Sequence, residues 1–190
     1  MRVSLNSELD SVEWGDFKLG DLFNVQSSLK RFDANKVTIT DSGYPYVVRT
    51  SVNNGHRGMI EENPQFLNPG NTISFGQDTA TIFYQESPYF TGDKIKILVP
   101  KDVRFRRQNA QFIIAAMNKS FNSFSWGASR FNVNTLTNQS IRLPKNADGV
   151  DYEWIERFVA ELEAYLKVTD LNDTSLTAEE GEDNSTPGRG

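Results

Sequence analysis

Residues 44–100 of this 190-residue chain are a succession of short β-branched and aromatic runs, cut apart by clusters of Asn, Gly, Asp and Pro. Such punctuation excludes long helices here and dictates short strands that turn back on one another. Residues 44–49 (YPYVVR) predict a strand, with Pro45 at its start or on a sheet edge, because proline lacks the N–H that a central ladder needs. SVNNGHRG then predicts a tight turn, with an extended path resuming at Met59 and Ile60. Residues 63–70 carry two prolines and read as a loop, while 71–75 and 79–85 read as strands joined in a hairpin through Gly76, Gln77 and Asp78. Within 93–100, the alternation of KIKILV turns one face of a strand inward.

The flanks add helices. A short strand over 13–18 leads into a helical turn over 19–23, and the polar stretch 26–42 reads as loop with a strand at 36–40. Phe112, Ile113, Ala116 and Met117 place an amphipathic helix over 108–120. A late strand at 140–143 is expected to stop at Pro144. Over 151–168, Ile155, Phe158, Val159, Leu162, Tyr165 and Leu166 form an apolar stripe on a helix of roughly 27 Å. Beyond it the chain is Asp, Glu, Ser, Thr and Gly without apolar period, which predicts disorder. The expected fold class is therefore α+β: a β-rich globular body over 1–150, an amphipathic helix over 151–168 and a disordered acidic tail over 169–190. Aromatic residues, at 12% of the chain, supply the core.

Charge divides unevenly. The whole chain carries −5, yet residues 151–190 hold 3 basic against 11 acidic side chains, and residues 44–145 hold 12 against 6. A mildly basic body joined to an acidic end is compatible with a phosphate-facing surface. The absence of Cys and the presence of one His exclude disulfides, thiolate chemistry and His/Cys zinc sites. No apolar stretch is long enough to span a membrane and the N-terminus lacks a signal peptide's apolar core, so a cytoplasmic, non-membrane protein is expected.

No catalytic constellation stands out. His56 sits in a Gly-flanked turn and reads as solvated, and nucleotide and serine-hydrolase fingerprints are missing. Asp93 with Lys94 and Lys96 is the nearest approach to a nuclease cluster, and an exposed strand edge explains it better. Binding features are richer. The segment 49–58 gathers Arg49, Ser51, Asn53, Asn54 and Arg57, side chains suited to base edges in a major groove, although the same types also dominate ordinary turns. The hairpin tip adds Gln77, Thr79 and Thr81, and the segment 125–134 adds Ser129 and Arg130 between rings. Lys94, Lys96, Arg104, Arg106 and Arg107 are candidates for phosphate contact. Taken alone, these residues also leave open a protein-interaction module built on aromatic loops and the helix.

The order of the pieces narrows the choice. WGDFKLGDLF, GYPYVVRTSVNNGHRG, NPGNTISFGQDTATIFYQ, TGDKIKILVP, QFIIAAM, FSWGASRFNVNTL and SIRLPKNADGVDYEWIERFV follow one another from about Glu13 to Leu166. This succession resembles the DNA specificity, or target recognition, domain of Type I restriction–modification specificity subunits and their Type II relatives. The resemblance implies a non-catalytic module that reads double-stranded DNA and directs a methyltransferase or endonuclease. It implies no cofactor in this chain, with S-adenosylmethionine and Mg²⁺ residing in the partner methyltransferase subunit or domain. It also implies that the stretches 49–57, 77–81 and 125–130 face DNA. In that family a helix following the domain pairs with another and docks on the methyltransferase, which points to Ile155, Phe158, Leu162 and Tyr165 as contacts in a homodimer. The helix here is short beside the family's long spacer, and the acidic tail has no counterpart in the resemblance.

Overall fold

A computed structural model describes residues 2–121 and 131–169. Its centre is a four-stranded sheet formed by β2 (Phe23–Ser27), β5 (Thr72–Gly76), β6 (Ile82–Gln85) and β8 (Ile95–Pro100), in the order β2-β8-β5-β6 and antiparallel throughout. Register places Ile73 beside Leu98, with Phe75 beside Lys96 on the same face. That face carries Phe23, Ile73, Phe75 and Leu98 into the main core, against Ile113, Met117 and Phe121 of α3 (Arg107–Phe121). The opposite face carries Ile95 and Ile97 into a second cluster with Val47 and Tyr89. The alternation of KIKILV therefore buries both faces of β8 rather than one, as expected of a strand inside a three-layer stack.

The second cluster is roofed by a three-stranded sheet of β3 (Tyr44–Val47), β4 (His56–Ile60) and β7 (Phe90–Thr91), in the order β4-β3-β7. Strand β3 runs antiparallel to β4 and parallel to β7. It is central, and Pro45 is tolerated because pairing with β7 begins only at Tyr46. The expected strand at 36–40 is reduced to a single bridge from Thr40 to Met59, and β4 begins at His56 rather than at Met59. Phe32 anchors the polar stretch 26–42, buried edge-to-face on Phe90 with centroids 5.2 Å apart, while Tyr46 Oη donates to Phe32 O at 2.7 Å.

A third sheet closes the other side: β1 (Trp14–Lys18), β9 (Ser140–Asn146) and β10 (Gly149–Val150), in the order β1-β9-β10. Strand β9 runs through Pro144 instead of stopping there. Lys145 N donates to Glu13 O, so the Trp14–Pro144 pair is the non-bonded one and the missing N–H costs β1 nothing. Short helices α2 (Leu19–Leu22) and α4 (Val133–Asn138) bury Leu19 and Leu136 beneath.

The final helix, α5 (Tyr152–Val168), starts where the sequence places it. Asp151 caps it, its Oδ1 accepting from Trp154 N at 3.0 Å. Trp154, Ile155 and Phe158 enter the main core, where Trp154 and Phe158 stack 4.9 Å apart and both meet Phe112 edge-to-face. An additional N-terminal helix, α1 (Arg2–Ser11), was not foreshadowed; it buries Leu5 and its last turn accepts from Trp14 Nε1 at Leu9 O.

Candidate nucleic-acid interface

The hairpin between β5 and β6 turns where Gly76 N donates to Thr81 O at 2.8 Å and Ala80 N donates to Gly76 O at 2.8 Å. A Cβ on Gly76 would crowd the Thr79 and Thr81 hydroxyls, which would have to turn aside to admit it. The loop after β3 lies along this hairpin. At its near end Arg49 Nη1 meets Asp78 Oδ2 at 2.9 Å, and the same oxygen receives Lys94 Nζ at 2.6 Å. Gln77 N donates to Lys94 O at 2.9 Å, which sets the hairpin tip against the turn before β8. Lys94 itself takes a left-handed φ of 57° in that turn.

A cleft of about 620 Å³ opens beside this group, lined by Arg31, Asp33, Ala34, Tyr46, Arg49 and Asp93 among others. Arg31 Nη1 sits 2.9 Å from Asp93 Oδ1, and Arg57 Nη1 reaches Ala34 O at 3.2 Å. Arg57 also lies near the buried Tyr46 hydroxyl: burial pushes that hydroxyl's pKa up, and the Arg57 charge works against the rise. Arg31, Arg49, Arg57 and Lys94 thus converge on one rim. Asp78 and Asp93 are interleaved among them, Asp78 binding Arg49 and Lys94 on one oxygen and Asp93 binding Arg31. Mixed charge of this kind restricts the directions of the side chains that it pairs.

The turn over Asn53–Gly55 is built from left-handed residues, with φ of 50°, 53° and 78° at Asn53, Asn54 and Gly55. Asparagine and glycine are the residues that adopt this region at least cost. The amide of Asn53 donates to His56 O at 3.1 Å and that of Asn54 to Tyr84 O at 2.9 Å. These two side chains therefore shape the loop, and the positions they leave protruding are Ser51 and Val52.

The chain matches the family described as the Type I restriction modification DNA specificity domain over residues 11–169. It belongs to that family. Among curated proteins it is similar to the Type II restriction enzyme BgcI specificity subunit S.BcgI of Heyndrickxia coagulans, 28% identical over 153 residues, or 80% of this chain and 44% of that one. Two solved structures share the fold. The HsdS subunit from Thermoanaerobacter tengcongensis aligns with a TM-score of 0.62 and 14% identity, over 94% of this chain and 46% of that one. The S subunit of a Type-I restriction-modification system from M. genitalium aligns at 0.55 and 16%, over 89% and 43%. This chain spans less than half the length of each of these relatives. The family is one of specificity components and is non-catalytic.

Within this specificity domain the other sequence-predicted residues scatter. Thr79 and Thr81 share a hydroxyl contact of 3.0 Å at the hairpin tip, beside Gln77. Lys96 lies on the helix-facing side of the central sheet, its Nζ donating to Ser27 Oγ at 3.0 Å, while Lys94 binds Asp78. Arg104, Arg106 and Arg107 sit at the far end of β5, about 14 Å along the strand at roughly 3.4 Å per residue; Asn71 Nδ2 donates to Phe105 O there. Each holds a carboxylate: Arg104 pairs with Asp102 and lies over the Tyr152 ring, Arg106 pairs with Glu156, and Arg107 pairs with Glu86. The hydrogen bonds from Arg104 and Arg106 hold the carboxyls of Asp102 and Glu156 below their ordinary range. These three arginines tie the body to itself, and the five expected phosphate contacts form no single surface.

Ser129 and Arg130 fall outside the described residues, as does the tail from 170 onward. The flanking rings are placed: Phe121 and Phe131 lie 5.0 Å apart, each 5.3 Å from Phe75, by the hairpin end of the central sheet. Of the helix residues expected to meet a partner, Ile155 is fully buried and Phe158 is 7% exposed, because both fill the chain's own core; Tyr165 packs against the same core, and Leu162 faces out. The nuclease cluster does not assemble, since Asp93 pairs with Arg31 while Lys94 turns to Asp78 and Lys96 to Ser27. Among the described residues no three of His, Asp and Glu are grouped to hold a metal ion, and no helix is long and apolar enough to cross a membrane. His56 is half-buried and bonded to Gln85 rather than fully solvated. Arg31 was missed: it lies in a stretch that reads as plain polar loop, and the usable signal was its place beside Phe32, a lone ring that had to be buried.

Proposed function

We propose that this chain is a non-catalytic module that reads a specific double-stranded DNA sequence and directs a methyltransferase or endonuclease to it. The observation that carries this is the convergence of Arg49, Arg57 and Lys94, with Arg31, on the rim beside Gln77. Arg49, Ser51, Arg57, Gln77, Thr79 and Thr81 contact base edges in the major groove. Arg31 and Lys94 flank them on phosphates. Residues 1–150 form the reading body, 151–168 the connecting helix and 169–190 an acidic tail. S-adenosylmethionine and Mg²⁺ act in the methyltransferase partner. A homodimer contact along α5 rests on Leu162, because Ile155 and Phe158 are buried within the chain.

The test is co-expression with the neighbouring methyltransferase, followed by long-read mapping of modified bases. One recurring modified motif, lost when Arg49 and Arg57 are both replaced by Ala, is expected. Modification without a shared motif, or unchanged by those replacements, overturns the proposal.

A further inference from the structure

Gln85 is the last residue of β6 and is only 2% exposed. Its Oε1 lies 2.7 Å from His56 Nε2, while its Nε2 donates to Asn54 O at 3.1 Å and to Ser74 Oγ at 3.0 Å. With both amide donors engaged, the oxygen must accept, so His56 carries its proton on Nε2. Asn54 in turn donates to Tyr84 O, and Ser74 Oγ donates to Phe83 O at 3.3 Å. One buried amide thus joins three pieces of chain: the left-handed turn, the first residue of β4 and the centre of β5. At the other end of the same loop, Asp78 on the β5–β6 turn holds Arg49. The loop is fastened to the β5–β6 hairpin at both ends.

We infer that Gln85 is a positioning residue for DNA specificity, making the loop over residues 49–56 and the β5–β6 turn a single rigid reading head. This rests on the DNA-reading proposal above. A side chain that reads a base must be held in one direction before binding, because ordering it on contact weakens discrimination. Gln85 touches no base: it lies beneath the loop, and its effect passes through Asn54 and His56 to Arg49, Ser51 and Arg57. A buried amide that loses its partners leaves unsatisfied groups, and the left-handed turn then loses the interactions that select it.

The test uses the full chain with Gln85→Met and His56→Phe, both close in size to the residues they replace. Selection from a random-sequence duplex library identifies the wild-type target. Affinities for that target and for a scrambled duplex are then measured across a salt series. For both variants the target-to-scrambled ratio is expected to fall about tenfold, the size of one lost base contact, while scrambled-duplex affinity and its salt slope stay at the wild-type values. A purely structural role lowers the folded fraction and moves both affinities together, leaving the ratio fixed. If Gln85→Met does not fold, His56→Phe decides, since it removes the bond to Oε1 from the half-exposed side. A folded variant with the wild-type ratio, against a wild type that shows a clear preference, overturns the role of Gln85 alone. A wild-type chain that selects no sequence overturns this inference and the DNA-reading proposal together.

Discussion

Arg49 Nη1 and Asp78 Oδ2 lie 2.9 Å apart, joining the loop after β3 to the hairpin tip through an acid that also binds Lys94. On the rim proposed to face DNA an acid opposes phosphate, and its two ion pairs serve side-chain direction rather than charge. Asp78→Asn removes the negative charge and frees both cations to seek phosphate. The expected result is tighter binding to arbitrary duplex, a salt slope steeper by about one to two because each phosphate neutralised adds about 0.9, and loss of about 1–3 kcal/mol of preference at one base pair. Fluorescence anisotropy of target and scrambled duplexes between low and moderate salt measures all three.

Replacing Arg31 and Arg57 in turn is expected to separate phosphate grip from base reading. Arg31 is widely exposed and its ion pair is with the similarly exposed Asp93, a partner that constrains a guanidinium only weakly. Arg57 is directed by a backbone carbonyl, Ala34 O. Arg31→Ala is expected to weaken every duplex alike and lower the salt slope by about one. Arg57→Ala is expected to relax the choice at one position of the selected motif by about 1–3 kcal/mol and leave the rest unchanged. Repeating the library selection with each variant distinguishes the two outcomes.

Local chemistry made β1, β3, β5, β6, β8, β9, the NNG turn and the helix after Asp151 legible in the sequence, but not β2, β7 or β10. Turn residues and periodicity act within a few positions, and those signals sit intact in the chain. What the sequence did not yield were relationships between distant segments. Arg104, Arg106 and Arg107 look like a basic run until the fold brings Asp102, Glu156 and Glu86 to them. Pro144 looks like a stop until β1 and β10 show which of its edges needs no donor. Gln85 looks like the polar end of a strand, and only the packing of the loop over β6 shows it to be a buried junction. Ile155 and Leu162 share one apolar stripe, yet α3 covers the first and leaves the second outside.

Glu156 provides a pH test of α3–α5 docking. It accepts from Arg106 and, at 2.8 Å, from Asn109 Nδ2, and the Arg106 hydrogen bonds are the main cause of its lowered pKa. A carboxyl whose pKa is depressed on folding stabilises the fold above its unfolded pKa, near 4.5, and that contribution is lost as pH falls through the lower folded value. Arg106→Ala is therefore expected to lower the Tm at pH 7. The gap from wild type should narrow below about pH 4.5, and DNA affinity at neutral pH should be unchanged. Thermal melts of both proteins at pH 7 and through the acid range read the sign directly; an equal Tm gap at every pH would place the Arg106 contribution outside this ion pair.

The two ends of α5 should answer differently to substitution. Ile155 is fully enclosed by the main core, and truncation there leaves a cavity. Ile155→Ala is expected to cost about 2–5 kcal/mol in a urea titration. Leu162 lies two turns further on and is 37% exposed, with Glu161 and Glu163 at its sides. Leu162→Glu is expected to change stability by no more than about 0.5 kcal/mol, since little apolar contact is lost within the chain. If α5 pairs with a second copy, that same substitution buries a charge against an apolar neighbour and halves the mass seen by light scattering. A dimer that survives Leu162→Glu places its contact elsewhere than on this stripe.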